Sequence, residues 1–211
     1  MIAILDYDAG NIKSVEKAIQ YLGEQAVITR DKSVIERADG VILPGVGAFG
    51  DAMDKLRFYG LIPMITQIAA SKTPFLGICL GLQLLFESSE ESPGVAGLSL
   101  LKGNILRIPD TNDLKVPHIG WNALAFPKEN TRGRLFAGIE DHAYVYFVHS
   151  YYLHAQEESI VKATTEYGVT VHACVEKDNI FACQFHPEKS SEVGLSILKN
   201  FIKIANEHKP T

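Results

Sequence analysis

Along the first eighty residues, short unbroken apolar runs alternate with stretches whose apolar residues recur every three or four positions. Ile2-Ala3-Ile4-Leu5 opens the chain as a buried strand over residues 1–7. Ile12, Val15, Ile19 and Leu22 fall on one helical face and predict a helix over residues 11–22. Residues 25–29 and 41–43 predict two further strands, the second stopped by Pro44. Helical patterns begin at residues 52–56 and cover residues 62–70, and residues 74–78 predict a fourth strand. Alternation of this kind implies an α/β fold with parallel strands and right-handed crossovers. The second half is richer in β pattern, at residues 105–108, 118–124, 143–148, 159–165, 169–176 and 180–185, with Pro, Gly and charged turns between. Residues 193–204 predict a closing amphipathic helix, and residues 94–102 and 109–115 predict surface loops.

Composition narrows the possibilities. The 211 residues suit one large domain spanning 1–211, and 46% hydrophobic against 21% charged is an ordinary globular balance. A net charge of −5 without a long basic run gives nucleic-acid binding little support. Three cysteines argue against a disulfide framework and for a reducing compartment. Cys174 and Cys183 fall inside strand patterns and read as packing, and no Cys or His pair has the short spacing of a zinc site, so no metal is expected. The first residues turn polar too soon for a signal peptide, and no apolar run approaches the ~20 residues of a membrane span. The expectation is a soluble cytoplasmic protein.

The chemistry concentrates in Pro74-Phe75-Leu76-Gly77-Ile78-Cys79-Leu80-Gly81-Leu82-Gln83. An apolar run ends in Gly-x-Cys-x-Gly and a helical pattern follows at once, the arrangement of a nucleophile elbow with sulfur in place of oxygen. The turn sets Cys79 at a helix N-terminus, where the macrodipole favours a thiolate. A buried structural cysteine is the competing reading. A thiolate nucleophile needs an imidazole and a group to orient it. Phe185-His186-Pro187-Glu188 supplies both: His186 at the end of a buried strand, and Glu188 placed to hold its Nδ1 proton. The two elements lie about a hundred residues apart, as suits groups that meet only in the fold. Leu80, after the nucleophile, offers one backbone N–H to an oxyanion, and the glycine-rich loop at residues 44–50 can present another. Gln83 lies one helical turn beyond Cys79, as an exposed amide able to bond a substrate.

Residues 77–83 and 184–188 resemble the G-x-C-x-G-x-Q and Q-x-H-P-E signatures of the class I (triad) glutamine amidotransferases. That resemblance implies a three-layer fold: a mostly parallel central sheet, helices on both faces, and a smaller antiparallel β portion. It implies attack of Cys79 on the glutamine side-chain amide, release of ammonia and hydrolysis of a thioester, with no cofactor. It makes the Val46-Gly47 peptide the second oxyanion donor, beside Leu80. The segment His149-Ser150-Tyr151 becomes a holder of the glutamine α-carboxylate, with Gln83 another substrate contact. His149 could be mistaken for the base, but only His186 has a following Pro-Glu.

Three segments narrow the resemblance further. Residues 6–11, 44–49 and 117–122 are similar to the D-Y-G-x-G-N, P-G-V-G-x-F and P-H-[IM]-G-W-N segments of glutaminase subunits of imidazole glycerol phosphate synthase. The implied partner is a (β/α)₈-barrel cyclase subunit that takes ammonia and forms imidazole glycerol phosphate and a purine-pathway carboxamide nucleotide in histidine biosynthesis. Asn11, Trp121 and Lys189 become its contact candidates. Asp8 departs from the pattern, standing where glycine is usual, and leaves the shape of the first loop open. The alternatives are a glutaminase of anthranilate or aminodeoxychorismate synthase, a hydrolase of γ-glutamyl peptides, and a regulatory module that has kept the pocket.

Overall fold

The computed structural model describes residues 1–110, 114–127 and 132–208. Its first half runs β1 (Ile2–Leu5), α1 (Ile12–Tyr21), β2 (Ala26–Thr29), α2 (Lys32–Glu36), β3 (Gly40–Leu43), α3 (Phe49–Phe58), α4 (Ile62–Ala70), β4 (Phe75–Ile78) and α5 (Leu80–Leu84). The second half adds β5 (Ser88–Ser89), β6 (Gly103–Arg107), β7 (His118–Ala123), β8 (Tyr144–His149), β9 (Tyr151–Ala155), β10 (Val161–Glu166), β11 (Thr170–Lys177), β12 (Ile180–Cys183) and α6 (Ser191–Glu207).

Seven strands form the main sheet in the order β10-β11-β12-β4-β3-β1-β2. The pairs from β12 to β2 are parallel, and β10 and β11 continue the sheet antiparallel. The fully apolar strands of the first half follow from this placement, since parallel strands covered on both faces have no side for polar residues. Period-two alternation sorts their side chains. Ala3, Leu5, Val41 and Leu43 join one core with Leu56 of α3 and Ile65 of α4. Ile2, Ile4, Ile42 and Leu76 join the other with Val15 and Ile19 of α1 and Ile197 and Phe201 of α6. Each large apolar side chain fully withdrawn from water contributes about 1.5–3 kcal/mol to holding the layers together. A three-stranded sheet, β5-β6-β9, and a two-stranded ribbon, β7-β8, make up the smaller β portion.

The fold is the expected three-layer α/β arrangement, with local differences. α2 carries a single buried residue, Ile35, so it has no apolar period to read; its start is fixed by Asp31, whose side chain accepts from the Ser33 N–H at 2.8 Å. The strand expected over residues 143–148 ends at His149, and a separate strand, β9, begins two residues later in a different sheet. The strand expected over residues 159–165 starts at Val161, after a short 3₁₀ turn. α3 starts three residues earlier than its pattern, and α6 extends at both ends beyond residues 193–204. Part of the loop expected at residues 109–115 falls on 111–113, outside the described residues. Among the described residues, no helix is long and apolar enough to cross a membrane.

Candidate active site

A sharp turn joins β4 to α5. Cys79 holds it with φ 53° and ψ −106°, a conformation that non-glycine residues rarely adopt. The flanking glycines are required by close approach. A Cβ on Gly77 would lie 2.8 Å from the Gly81 carbonyl oxygen, and a Cβ on Gly81 would overlap the Leu43 carbonyl oxygen on the neighbouring strand. The strain therefore sits on the cysteine itself, and the glycines let the helix start settle onto β3. The Cys79 N–H donates to the Cys183 carbonyl at 2.8 Å, carrying the β4–β12 pairing up to the nucleophile.

β12 delivers the base. His186 follows its end by three residues and is fixed by its own N–H, which donates to the Tyr146 carbonyl of β8 at 2.9 Å. The His186 Nδ1 lies 2.8 Å from Glu188 Oε1, and both side chains are almost wholly withdrawn from water. A carboxylate oxygen can only accept, so Nδ1 carries the proton and Nε2 is the working nitrogen. Asn11 Nδ2 donates to the same Glu188 oxygen at 2.9 Å. Among the described residues, neither Nε2 nor Glu188 Oε2 has a hydrogen-bond partner. Burial by itself would lower the His186 pKa. The neighbouring Cys79 sulfur and the Glu188 carboxylate outweigh it and push the value up to about 10. At neutral pH His186 is an imidazolium beside sulfur, a proton donor ready for a departing amine.

The second histidine of the region is built for a different task. His149 Nδ1 lies 2.9 Å from the Tyr151 carbonyl, and its Nε2 lies 3.0 Å from His118 Nδ1. The carbonyl accepts, so His149 is protonated on Nδ1, and His118 must donate to His149 from its own Nδ1. His118 is stacked between Tyr167 and Phe147, at 3.8 and 4.9 Å between ring centres. Burial lowers His118 to about 4 and His149 to about 3, the latter also through the charges of His118 and His186. Both are neutral near pH 7 and hold the corner at Ser150 in place, which leaves His186 as the candidate for proton transfer.

A cavity of about 290 Å³ opens over Cys79, at the small end for small-molecule sites. Val46, Gly47, Leu80, Gln83, Val148, His149, Ser150 and Tyr151 line it, together with Glu91 and Pro117. The candidates on residues 46–47, 79–83 and 149–151 thus share one hollow. Glu91 is an addition to them. Its Oε2 accepts from the Phe49 N–H at the start of α3, at 2.8 Å. It gives the cavity a carboxylate suited to an ammonium group.

Two expectations change. Gln83 is not an exposed amide. It is buried, and its Nε2 donates to the Tyr151 carbonyl and to Gln184 Oε1, both at 3.1 Å. Gln184 in turn points its Nε2 at Cys79 Sγ, 3.6 Å away. Around the oxyanion position, the peptide facing Leu80 is Gly45-Val46, one step before Val46-Gly47. The Leu80 N–H already donates to the Gly45 carbonyl at 3.3 Å, so one expected donor is engaged at rest. Among the partner candidates, Trp121 is half exposed and Lys189 is exposed, whereas Asn11 turns inward to Glu188.

A thiol on a strained elbow, an imidazolium held by a carboxylate and an amino-acid-sized hollow define a thiol-dependent acyl-transfer enzyme on an α/β sheet. The chain belongs to the class-I glutamine amidotransferases, whose family model matches residues 3–205. It is 52% identical over 200 residues to the imidazole glycerol phosphate synthase subunit HisH of Moorella thermoacetica, covering 95% of this chain and 93% of the relative. It is 50% identical over 204 residues to the same subunit of Methanothermobacter thermautotrophicus, covering 97% and 98%. Among solved structures, a glutamine amidotransferase superposes with a TM-score of 0.74 at 18% identity, covering 97% of this chain and 98% of that one. A protein of Thermoplasma acidophilum described as part of a GMP synthase gives 0.72 at 20% identity, covering 98% and 94%. At such identities these two likenesses speak for the fold alone.

Proposed function

We propose that this chain is the glutaminase subunit of an imidazole glycerol phosphate synthase, a single amidotransferase domain over residues 1–211 that works in the cytoplasm with a cyclase subunit. The observation that carries the reading is the His186–Glu188 pair beside Cys79, whose sulfur faces a hollow that also holds the Glu91 carboxylate, in a chain half identical to HisH subunits. In this mechanism Glu91 receives the ammonium group of glutamine, and the backbone at residues 149–151 its carboxylate. The Cys79 thiolate attacks the amide carbon, His186 gives its Nε2 proton to the amide nitrogen so that ammonia departs, and the neutral imidazole then takes a proton from the water that cleaves the thioester and releases the thiolate. Asn11 acts on this chemistry through Glu188.

The oxyanion needs the Leu80 N–H, which the Gly45 carbonyl occupies at rest. Rotation of the Gly45-Val46 peptide would free it and turn a second N–H toward the same point. Losing one such donor costs about 10²–10³ in turnover. The isolated chain is therefore expected to hydrolyse glutamine at least about a hundredfold more slowly than the complex, as read by glutamate release with and without the cyclase subunit. Equal rates would show that the resting contact has no catalytic consequence.

The docking face follows from the β7–β8 ribbon. Ile119 and Trp121, with Tyr144 on the paired strand, are 60%, 51% and 59% exposed. Trp121 pairs across the ribbon with Tyr146, and Ile119 with Val148, whose carbonyl lies 3.9 Å from Cys79 Sγ. An apolar aromatic strip beside the nucleophile suits a partner that must receive ammonia without letting it reach water. Trp121→Ala is expected to weaken the complex about thirtyfold, near 2 kcal/mol, in a calorimetric titration with the cyclase subunit. An unchanged affinity would place the partner elsewhere. Glutamine-dependent formation of imidazole glycerol phosphate on mixing the two subunits tests the whole reading; a complex that turns over ammonia but never glutamine would overturn it.

A further inference from the structure

Asp8 occupies the left-handed region, at φ 59°, and its contacts account for an acidic residue at that position. Its carboxylate accepts from Arg30 Nη2 at 3.0 Å and from the Tyr59 hydroxyl. Its carbonyl accepts from Lys55 Nζ at 2.9 Å, and its N–H donates to Asp6 Oδ1 at 3.2 Å. Arg30 also reaches Asp6 Oδ2 at 2.6 Å and lies over the Tyr59 ring, 3.9 Å from its centre. Lys55 lies on α3 and Tyr59 caps its C-terminus, and α3 follows the oxyanion loop directly. The first loop is thus tied to the helix that anchors that loop.

The free end of the tethered segment reaches the chemistry. A Cβ on Gly10 would lie 2.8 Å from Val46 Cγ2, so the loop abuts the oxyanion segment with no room to spare. One residue later, Asn11 donates to Glu188. A lone exposed ion pair contributes little to stability. A network that fixes the position of a hydrogen-bond donor acts on geometry instead, where displacements on the order of 1 Å cost up to about a hundredfold in rate.

We propose that Asp8 is a positioning residue for amide cleavage: gripped by Arg30 and Tyr59, it sets the first loop so that Asn11 orients Glu188. The inference rests on the glutaminase reading above. Its contacts, the Tyr59 hydrogen bond foremost, hold the Asp8 carboxyl below its ordinary range, so the grip persists across neutral pH. Glycine adopts φ 59° more readily than aspartate. Asp8→Gly therefore keeps the backbone path and removes only the grip.

In the complete complex with the cyclase subunit, Asp8→Gly is expected to lower glutamine-dependent kcat about tenfold. KM for glutamine and ammonia-dependent turnover are expected to stay at wild-type values. Asn11→Ala is expected to give a similar loss, and the double variant no further loss, because both act through Glu188. Arg30→Gln repeats the test from the other side of the contact and leaves the first loop's own residues intact, should Asp8→Gly not fold. Wild-type kcat in Asp8→Gly or Arg30→Gln, or losses that multiply in the double variant, would overturn the inference. So would a lower melting temperature with unaltered kcat, which makes Asp8 purely structural. A wild-type complex that uses ammonia but not glutamine would instead sink the glutaminase reading itself.

Discussion

Replacing Cys79 with alanine is expected to lower glutamine-dependent turnover of the complex by more than about a thousandfold, while ammonia-dependent turnover continues. The asymmetry follows from where the sulfur stands. Its only bond-making role is attack on the amide, and no other described group over the cavity can take its place: Gln83 is committed to Tyr151 and Gln184, and His149 is a neutral link in a chain ending on a carbonyl. Alanine at position 79 also relieves nothing, since it meets the same unfavourable φ of 53°. The fold is therefore expected to persist, and free ammonia can still reach the partner. The measurement is product formation with either nitrogen source at matched subunit concentrations. Parallel loss of both rates would mean that Cys79 supports the docked structure rather than the cleavage of glutamine.

Gly81→Ala is expected to cost about 3 kcal/mol of stability, the upper end for overpacking, and to abolish most glutaminase activity. The added methyl would overlap the Leu43 carbonyl oxygen, a main-chain atom at the end of β3 that cannot rotate aside as a side chain does. Either β3 or the elbow must move, and Leu80, Gly45 and Cys79 all lie within that contact. Denaturant unfolding gives the stability change from the shift in midpoint at constant slope, and glutamate release gives the activity. Wild-type values in both would show that the β3–α5 junction yields freely.

Local patterns make much of this legible from the sequence. Buried parallel strands are unbroken apolar runs because both faces are covered, so β1, β3 and β4 stand out. Cys79, His186 and Glu188 stand out because an elbow and a strand-end His-Pro-Glu are contiguous in sequence. What depends on distant neighbours does not. Gln83 falls on the expected helical face, but its burial comes from Tyr151 and Gln184, neither of them near it in sequence. Glu91 carries no sequence signal, because nothing local reveals that the start of α3 folds back onto its carboxylate. Asn11 looks like a surface contact because Glu188 lies 177 positions away. β9 is hidden by Ser150, a polar corner that resembles the end of a strand and is in fact a passage between two sheets.

The two reacting groups leave the sheet from adjacent strands, with Ile78 beside Cys183 and the Cys79 amide hydrogen-bonded to the same residue. Everything from α5 to β12 is a long excursion that returns next to its point of departure. Lengthening or trimming its loops leaves the separation of sulfur and imidazole alone, because the main-chain rung to Cys183 and the Tyr146 carbonyl that holds the His186 N–H set it. What such changes do alter is the furniture of the hollow: Glu91, the Ser150 corner and the ribbon proposed to meet the partner. On the proposed reading, amide cleavage sits at the ends of β4 and β12 and the choice of client on the ribbon between them, so different substitutions can retune each.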